Sequence, residues 1–134
     1  MKKNRWLELI ESNPEHSANY IQRFRDMDAE GRDLHGEARL IDAMAARGSR
    51  ILDAGCGPGR VGGELHRLGH QVVGLDLDPV LIAAAKRDHP DSTWLVADLA
   101  ELVVDRSLIG EGFDLIVSAG NVITFVEPEK RVAV

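Results

Sequence analysis

Ile51 to Arg60 reads Ile-Leu-Asp-Ala-Gly-Cys-Gly-Pro-Gly-Arg, a short apolar strand that ends in an acid and runs into glycine at 55, 57 and 59. A loop this bare lets a ligand lie directly against backbone N–H and C=O groups. Gly57, Gly59 and Gly62 also satisfy G-x-G-x-x-G, the dinucleotide fingerprint. Asp53 bears on which ligand the loop takes. A pyrophosphate on the following helix N-terminus would meet a like charge there, a repulsion of roughly a few kcal/mol at an effective dielectric of about 20. A ligand carrying positive charge would gain from the same acid.

Outward from this stretch, the chain on either side has different periodicities. Residues 1–48 are predicted helical: Trp6, Leu9 and Ile10 share a face before Asn13-Pro14, then Tyr20, Ile21, Phe24 and Met27 repeat the spacing. That spacing puts Tyr20 and Phe24 in a core in preference to a ligand wall. Gly31 and Gly36 bracket a loop, and a third helix through Ala38, Ile41, Met44 and Ala45 is predicted to stop at Gly48. From residue 49 strands alternate with helices, which predicts a parallel sheet with right-handed crossovers. Strand one covers roughly 50 to 54, and a helix starting at Pro58 follows it as far as Gly69. Strand two is Gln71 to Asp76. Asp78-Pro79 supplies an N-cap and first-turn proline for the next helix. Strand three covers roughly Ser92 to Ala97, and a short helical turn carries Leu99, Leu102 and Val103 before a polar loop at Gly110 to Gly112. Strand four is Phe113 to Ser118, and a last helix is predicted from Glu127-Pro128.

The 134 residues, 44% hydrophobic and 28% charged, make one ordinary core. Net charge is −6, which disfavours a nucleic-acid partner. The start, Met-Lys-Lys-Asn-Arg-Trp, has no apolar segment behind it, and no apolar run is long enough to span a bilayer. The expected setting is the cytoplasm, without a membrane partner. Cys56 has no partner for an internal disulfide and reads as a small side chain behind the loop.

Three of the four predicted strands end in aspartate, at 53, 76 and 98. In an open parallel sheet, ligands sit beyond these carboxyl ends. Asp76 lies 21 residues after Gly55, the separation at which a strand-two acid accepts hydrogen bonds from a ribose diol.

The glycine motif with its preceding acid resembles the first motif of the class I S-adenosylmethionine-dependent methyltransferases, and the resemblance covers roughly residues 35 to 127. It implies an α/β Rossmann-like open sheet of order 3-2-1-4 and S-adenosyl-L-methionine as cofactor. Carried over by motif, the cofactor residues are Asp53, Ala54, Gly55, Cys56, Gly57 and Gly59 for the methionine part, Asp76 for the ribose and Asp98 for the adenine amino group. Leu77 and Leu99 flank the adenine. Asp114 to Gly120, with Ala119, looks like the fourth motif, near the methyl group. Asn121 is followed by Val122-Ile123 and not by the Pro-Pro-aromatic of base methyltransferases, so a small-molecule acceptor is expected.

No residue is singled out as catalytic. His35 is the least implausible base, ahead of His16, His66, His70 and His89; Trp6, Tyr20 and Arg25 are candidates for touching a substrate, with packing and surface charge the favoured roles. Residues 1–48 would then be a possible substrate lid and 49–134 the cofactor-binding core. The family's sheet has seven strands and this sequence supplies four. The resulting readings are a fragment of a longer enzyme, a homodimer that covers the strand-four edge, or a chain that binds cofactor without turnover. A dinucleotide-binding protein is the competing enzyme class.

Overall fold

The computed structural model describes residues 3–101, 112–120 and 122–133. Helices α1 (Arg5–Ser12), α2 (His16–Ala29) and α3 (Gly36–Met44) precede the sheet. Strand β1 (Arg50–Ala54), α4 (Arg60–Arg67), β2 (Gln71–Asp76), α5 (Pro79–Asp88) and β3 (Thr93–Val96) then alternate. A 3₁₀ turn at Leu99–Glu101, β4 (Leu115–Val117), a single-turn helix α6 (Val122–Phe125) and a 3₁₀ segment Pro128–Ala133 complete the described elements.

All strand pairs are parallel, as the strand-helix alternation predicts, and the order is β3-β2-β1-β4, as the family resemblance implies. Register pairs Asp53 with Gly74 and Val117, and Gly74 with Trp94. The chain runs from β1 outward through β2 to β3 and then returns to the other side of β1, so the point where direction reverses lies between β1 and β4. Side-chain alternation sends Ile51 and Val72 to one face, where they pack with Ala38, Val61, Leu65, Ile82 and Trp94 from the helices and β3. Leu52, Val73 and Leu75 take the other face, against Leu95, Leu99 and Phe113.

Several boundaries differ from the sequence reading. Helix α4 begins at Arg60 and not at Pro58, because Gly59 adopts φ +87° and its N–H closes a turn on the Cys56 carbonyl at 3.1 Å. Helix α3 ends at Met44, four residues before Gly48, since Ala45 is already extended. Strand β4 is shorter than expected at both ends, and Ile116 on it is 69% exposed. The predicted final helix is a 3₁₀ segment, and α6 has no counterpart in the sequence reading. Leu102, Val103, Gly110 and Asn121 lie outside the described residues.

Small residues let the layers approach. A Cβ on Gly74 would come within 2.3 Å of the Trp94 ring and 2.9 Å of Cys56 Sγ, so the indole lies across the strand where a side chain would stand. On α4, a Cβ on Gly62 would meet Trp94 and Asp53, and one on Gly63 would meet the His89 ring. Gly62, the third glycine of the formal dinucleotide fingerprint, is therefore a packing residue between helix and strand.

Candidate functional site

A cavity of about 400 Å³ opens beyond the carboxyl ends of the strands. Its floor is the β1–α4 loop and the residues that follow β2 and β3; its walls are α1, α2 and α6. Gly55 (φ +80°) and Gly57 (φ +55°) line it, and Gly57 has open space where a Cβ would stand. The loop is pinned to the neighbouring strand, because the N–H groups of Gly55 and Cys56 both donate to the Leu75 carbonyl, at 2.8 and 2.9 Å.

Asp76 ends β2 in the floor. Its Oδ2 accepts from the Gly57 N–H at 2.8 Å and its Oδ1 from the Asp78 N–H at 2.9 Å. Burial pushes its carboxyl above the ordinary range, against those hydrogen bonds. Leu77, Asp98, Leu99 and Ala119 line the same cavity, and Asp98 Oδ1 accepts from the Ala100 N–H at 2.9 Å.

The structure does not bring every predicted residue to the cavity. Asp53 shares the parity of Ile51, so its carboxyl points beneath α4 and is 1% exposed. Its Oδ2 has no hydrogen-bond partner among the described residues. Burial, then the charge of Asp76, raise its pKa to about 7, and the Gly62 N–H only partly opposes them. Ala54 and Cys56 are buried behind the loop, and burial pushes the Cys56 thiol far up, which leaves it protonated and unreactive. Gly59 faces His89, Trp94 and Ala85 and lies outside the lining.

The walls depart further from the sequence reading. Tyr20 and Phe24, expected in a core, line the cavity because α2 lies across the strand ends and buries only Ser17 fully. Trp6 lines it too, edge-on to Tyr20 at 5.4 Å and to Phe125 at 5.5 Å. Arg60, the residue after the loop, donates to the Leu34 carbonyl at 2.7 Å and to Glu37 at 2.9 Å, and sits over the Phe24 ring at 5.1 Å. Burial raises the Tyr20 phenol pKa although Arg60 is close. Arg25 stands apart, paired with Asp88 at 3.3 Å. His35 is also outside, 3.9 Å from Glu64. His70 is fully buried, its Nδ1 accepting from the Ser49 N–H at 3.1 Å and its Nε2 2.7 Å from Asp42. None of the five histidines lines the cavity.

An aromatic and basic wall, a glycine loop and two strand-end acids thus surround one ligand-sized space. Residues 51–134 match the family described as the methyltransferase domain. The chain belongs to that family. A solved TehB-like S-adenosylmethionine-dependent methyltransferase from Corynebacterium glutamicum is 55% identical and has a TM-score of 0.83, with 90% of this chain and 64% of that one covered. A ubiquinone biosynthesis O-methyltransferase of Rhodopseudomonas palustris is 33% identical over 105 residues, 78% of this chain and 40% of its own length. A magnesium-protoporphyrin O-methyltransferase of Rhodobacter capsulatus is 32% identical over 117 residues, 81% of this chain and 49% of its own. The methyltransferase-domain chain described here spans two fifths to half the length of these curated relatives. The family is the class I, Rossmann-like one whose cofactor is S-adenosylmethionine, and these comparisons give the dinucleotide alternative no support. No helix among its described residues is long and apolar enough to cross a membrane.

Proposed function

We propose that the chain forms the cofactor-binding part of a cytoplasmic enzyme that transfers a methyl group from S-adenosylmethionine to a small molecule. The observation that carries this is the tie between Gly57 and Asp76, with Asp98 beside them, at the edge of one cavity. The residues present suit the cofactor. Gly57 offers a backbone cradle that a Cβ would fill, Asp76 has lone pairs left for a ribose diol, and Leu77 and Leu99 can flank a flat base. Asp76 is an acid held above its ordinary pKa by burial and therefore gains from a nearby positive charge. In this reading Asp53 fixes the junction of loop and helix from behind, and Ala54, Cys56 and Gly59 serve the loop's shape without touching the ligand.

When bound, S-adenosylmethionine supplies a methyl group already activated on a sulfonium. The chain's own share is alignment and exclusion of water, and alignment alone can supply several kcal/mol of a barrier. Gly55 and Gly57 hold the backbone against the ligand, Asp76 and Asp98 orient its ribose and its adenine, and Trp6, Tyr20 and Phe24 shield the space from solvent. These helices are the basis for reading residues 1–48 as a lid on the acceptor side.

The relatives' names support methyl transfer to a small molecule, here with the acceptor unidentified. A second copy pairing at β4 is supported only by the exposure of Ile116, and sedimentation of the purified chain tests it. Calorimetric titration of S-adenosylhomocysteine into the chain tests the cofactor reading. Micromolar affinity is expected; a folded sample that takes up no S-adenosylhomocysteine would overturn it.

A further inference from the structure

Helix α1 buries no residue completely and α2 buries only Ser17, so the two helices that wall the cavity are held through half-buried side chains, among them the Trp6–Tyr20 ring pair. They also share one carboxylate. Asp78 is 1% exposed and caps α5 by accepting from the Val80 N–H at 2.9 Å through Oδ1. Its Oδ2 accepts from Trp6 Nε1 of α1 at 2.8 Å and from Ser17 Oγ of α2. The same residue's backbone N–H donates to Asp76 Oδ1 at 2.9 Å. Asp78 is thus bonded on one side to the two wall helices and on the other to the acid in the cavity floor.

We infer that Asp78 is a positioning residue: its carboxylate latches α1 and α2 over the cavity and couples their docking to ligand binding at Asp76. The inference rests on the S-adenosylmethionine reading of the site for its second half only. Three donors converge on a carboxylate withdrawn from water, where charge-assisted hydrogen bonds are strongest and an unmade one is most costly. A cap for α5 needs only Oδ1, and the Val80 bond satisfies it. The two bonds at Oδ2 bring in elements from the far end of the chain, and Trp6, which makes one of them, also presents its ring to the cavity. Linkage makes the coupling reciprocal: if ligand contact with the wall tightens the latch, breaking the latch weakens the ligand by the same factor.

The test uses the full chain and the variant Trp6→Phe combined with Ser17→Ala, which removes both donors and leaves the Asp78 cap intact. Hydrogen exchange without ligand reads the latch alone. Amides of residues 5–29 are expected to exchange at least tenfold faster in the variant while those of β1 and β2 are unchanged; equal exchange in the two proteins overturns the latch. Affinity for S-adenosylhomocysteine is expected to fall 10- to 100-fold, and a change under twofold in a wild-type chain that binds overturns the coupling. In proton–nitrogen spectra the indole N–H of Trp6, assigned by its loss in Trp6→Phe, is expected to exchange more slowly when S-adenosylhomocysteine is added. The indole of Trp94, bonded to the His89 carbonyl at 2.7 Å, serves as the internal control. A wild-type chain that binds no S-adenosylhomocysteine overturns the cofactor reading and the coupling together, while the ligand-free exchange still decides the latch.

Discussion

Gly57 and Asp76 are joined by a 2.8 Å hydrogen bond from backbone N–H to carboxylate, so the glycine loop after β1 and the acid ending β2 form one unit. A ligand that touches one therefore meets a group whose position is tied to the other. Replacing Asp76 with Ala is expected to weaken S-adenosylhomocysteine binding about 10- to 100-fold, roughly 1.4 to 2.7 kcal/mol. Isothermal titration checks this, and retention of wild-type affinity would remove Asp76 from the site.

Asp53 makes stability depend on pH in an unusual sense. Its pKa is raised by burial from the ordinary 3.8 to about 7, so between those values the folded chain holds a proton that the unfolded chain has released. Stability therefore falls as pH rises through this window, and the loss is complete above about 7. The full effect is on the order of 4 kcal/mol. Urea unfolding at pH 4.5 and 7.5 should show the decline in wild type and a flatter profile in Asp53→Asn.

Two glycines separate ligand effects from fold effects. Gly57→Ala meets no neighbour but must hold φ +55°, a strain of about 1 kcal/mol, and it places a methyl in the cavity. Its expected signature is lost S-adenosylhomocysteine affinity in a protein that still folds. Gly74→Ala drives a methyl into the Trp94 ring, with an expected destabilisation of about 1–3 kcal/mol or more, read from the midpoint of urea unfolding.

His70 is a structural histidine. With Nδ1 accepting from the Ser49 N–H, its Nε2 carries the proton and donates to Asp42. His70→Ala leaves a buried N–H without its acceptor, at a cost of about 1–3 kcal/mol. Because the ring is remote from the cavity, S-adenosylhomocysteine affinity is expected to stay within twofold in the folded variant.

The parallel alternation of strands and helices was legible because its causes are local, whereas the strand order came with the family resemblance. Apolar runs of strand length, a glycine loop, Asp78-Pro79 and Gly69 each act within a few residues, and together they mark out the elements. The floor of the cavity was legible for the same reason, since Asp76 and Asp98 close their own strands. What could not be read was set by distance along the chain or by parity. Nothing near Trp6 or Ser17 announces a bond to Asp78, and the periodicity that placed Tyr20 and Phe24 in a core describes any buried helix face, whether it meets a sheet or a cavity. Asp53 could be placed at a strand end, but which side of the sheet it faced depended on the register of Ile51, which only the packed helices reveal.

The edge-to-face contact of Trp6 with Phe125 brings together residues from near the two ends of the chain. Closing so long a loop carries an entropic cost that the β1–β2 and β2–β3 pairings, separated by about one helix each, do not share. In the order of folding, the β1–β2–β3 part of the sheet is therefore expected to form first and the chamber to close last. Synthesis from the N-terminus adds the same delay: Trp6 emerges early but has no aromatic partner on α6 until Phe125 has been translated.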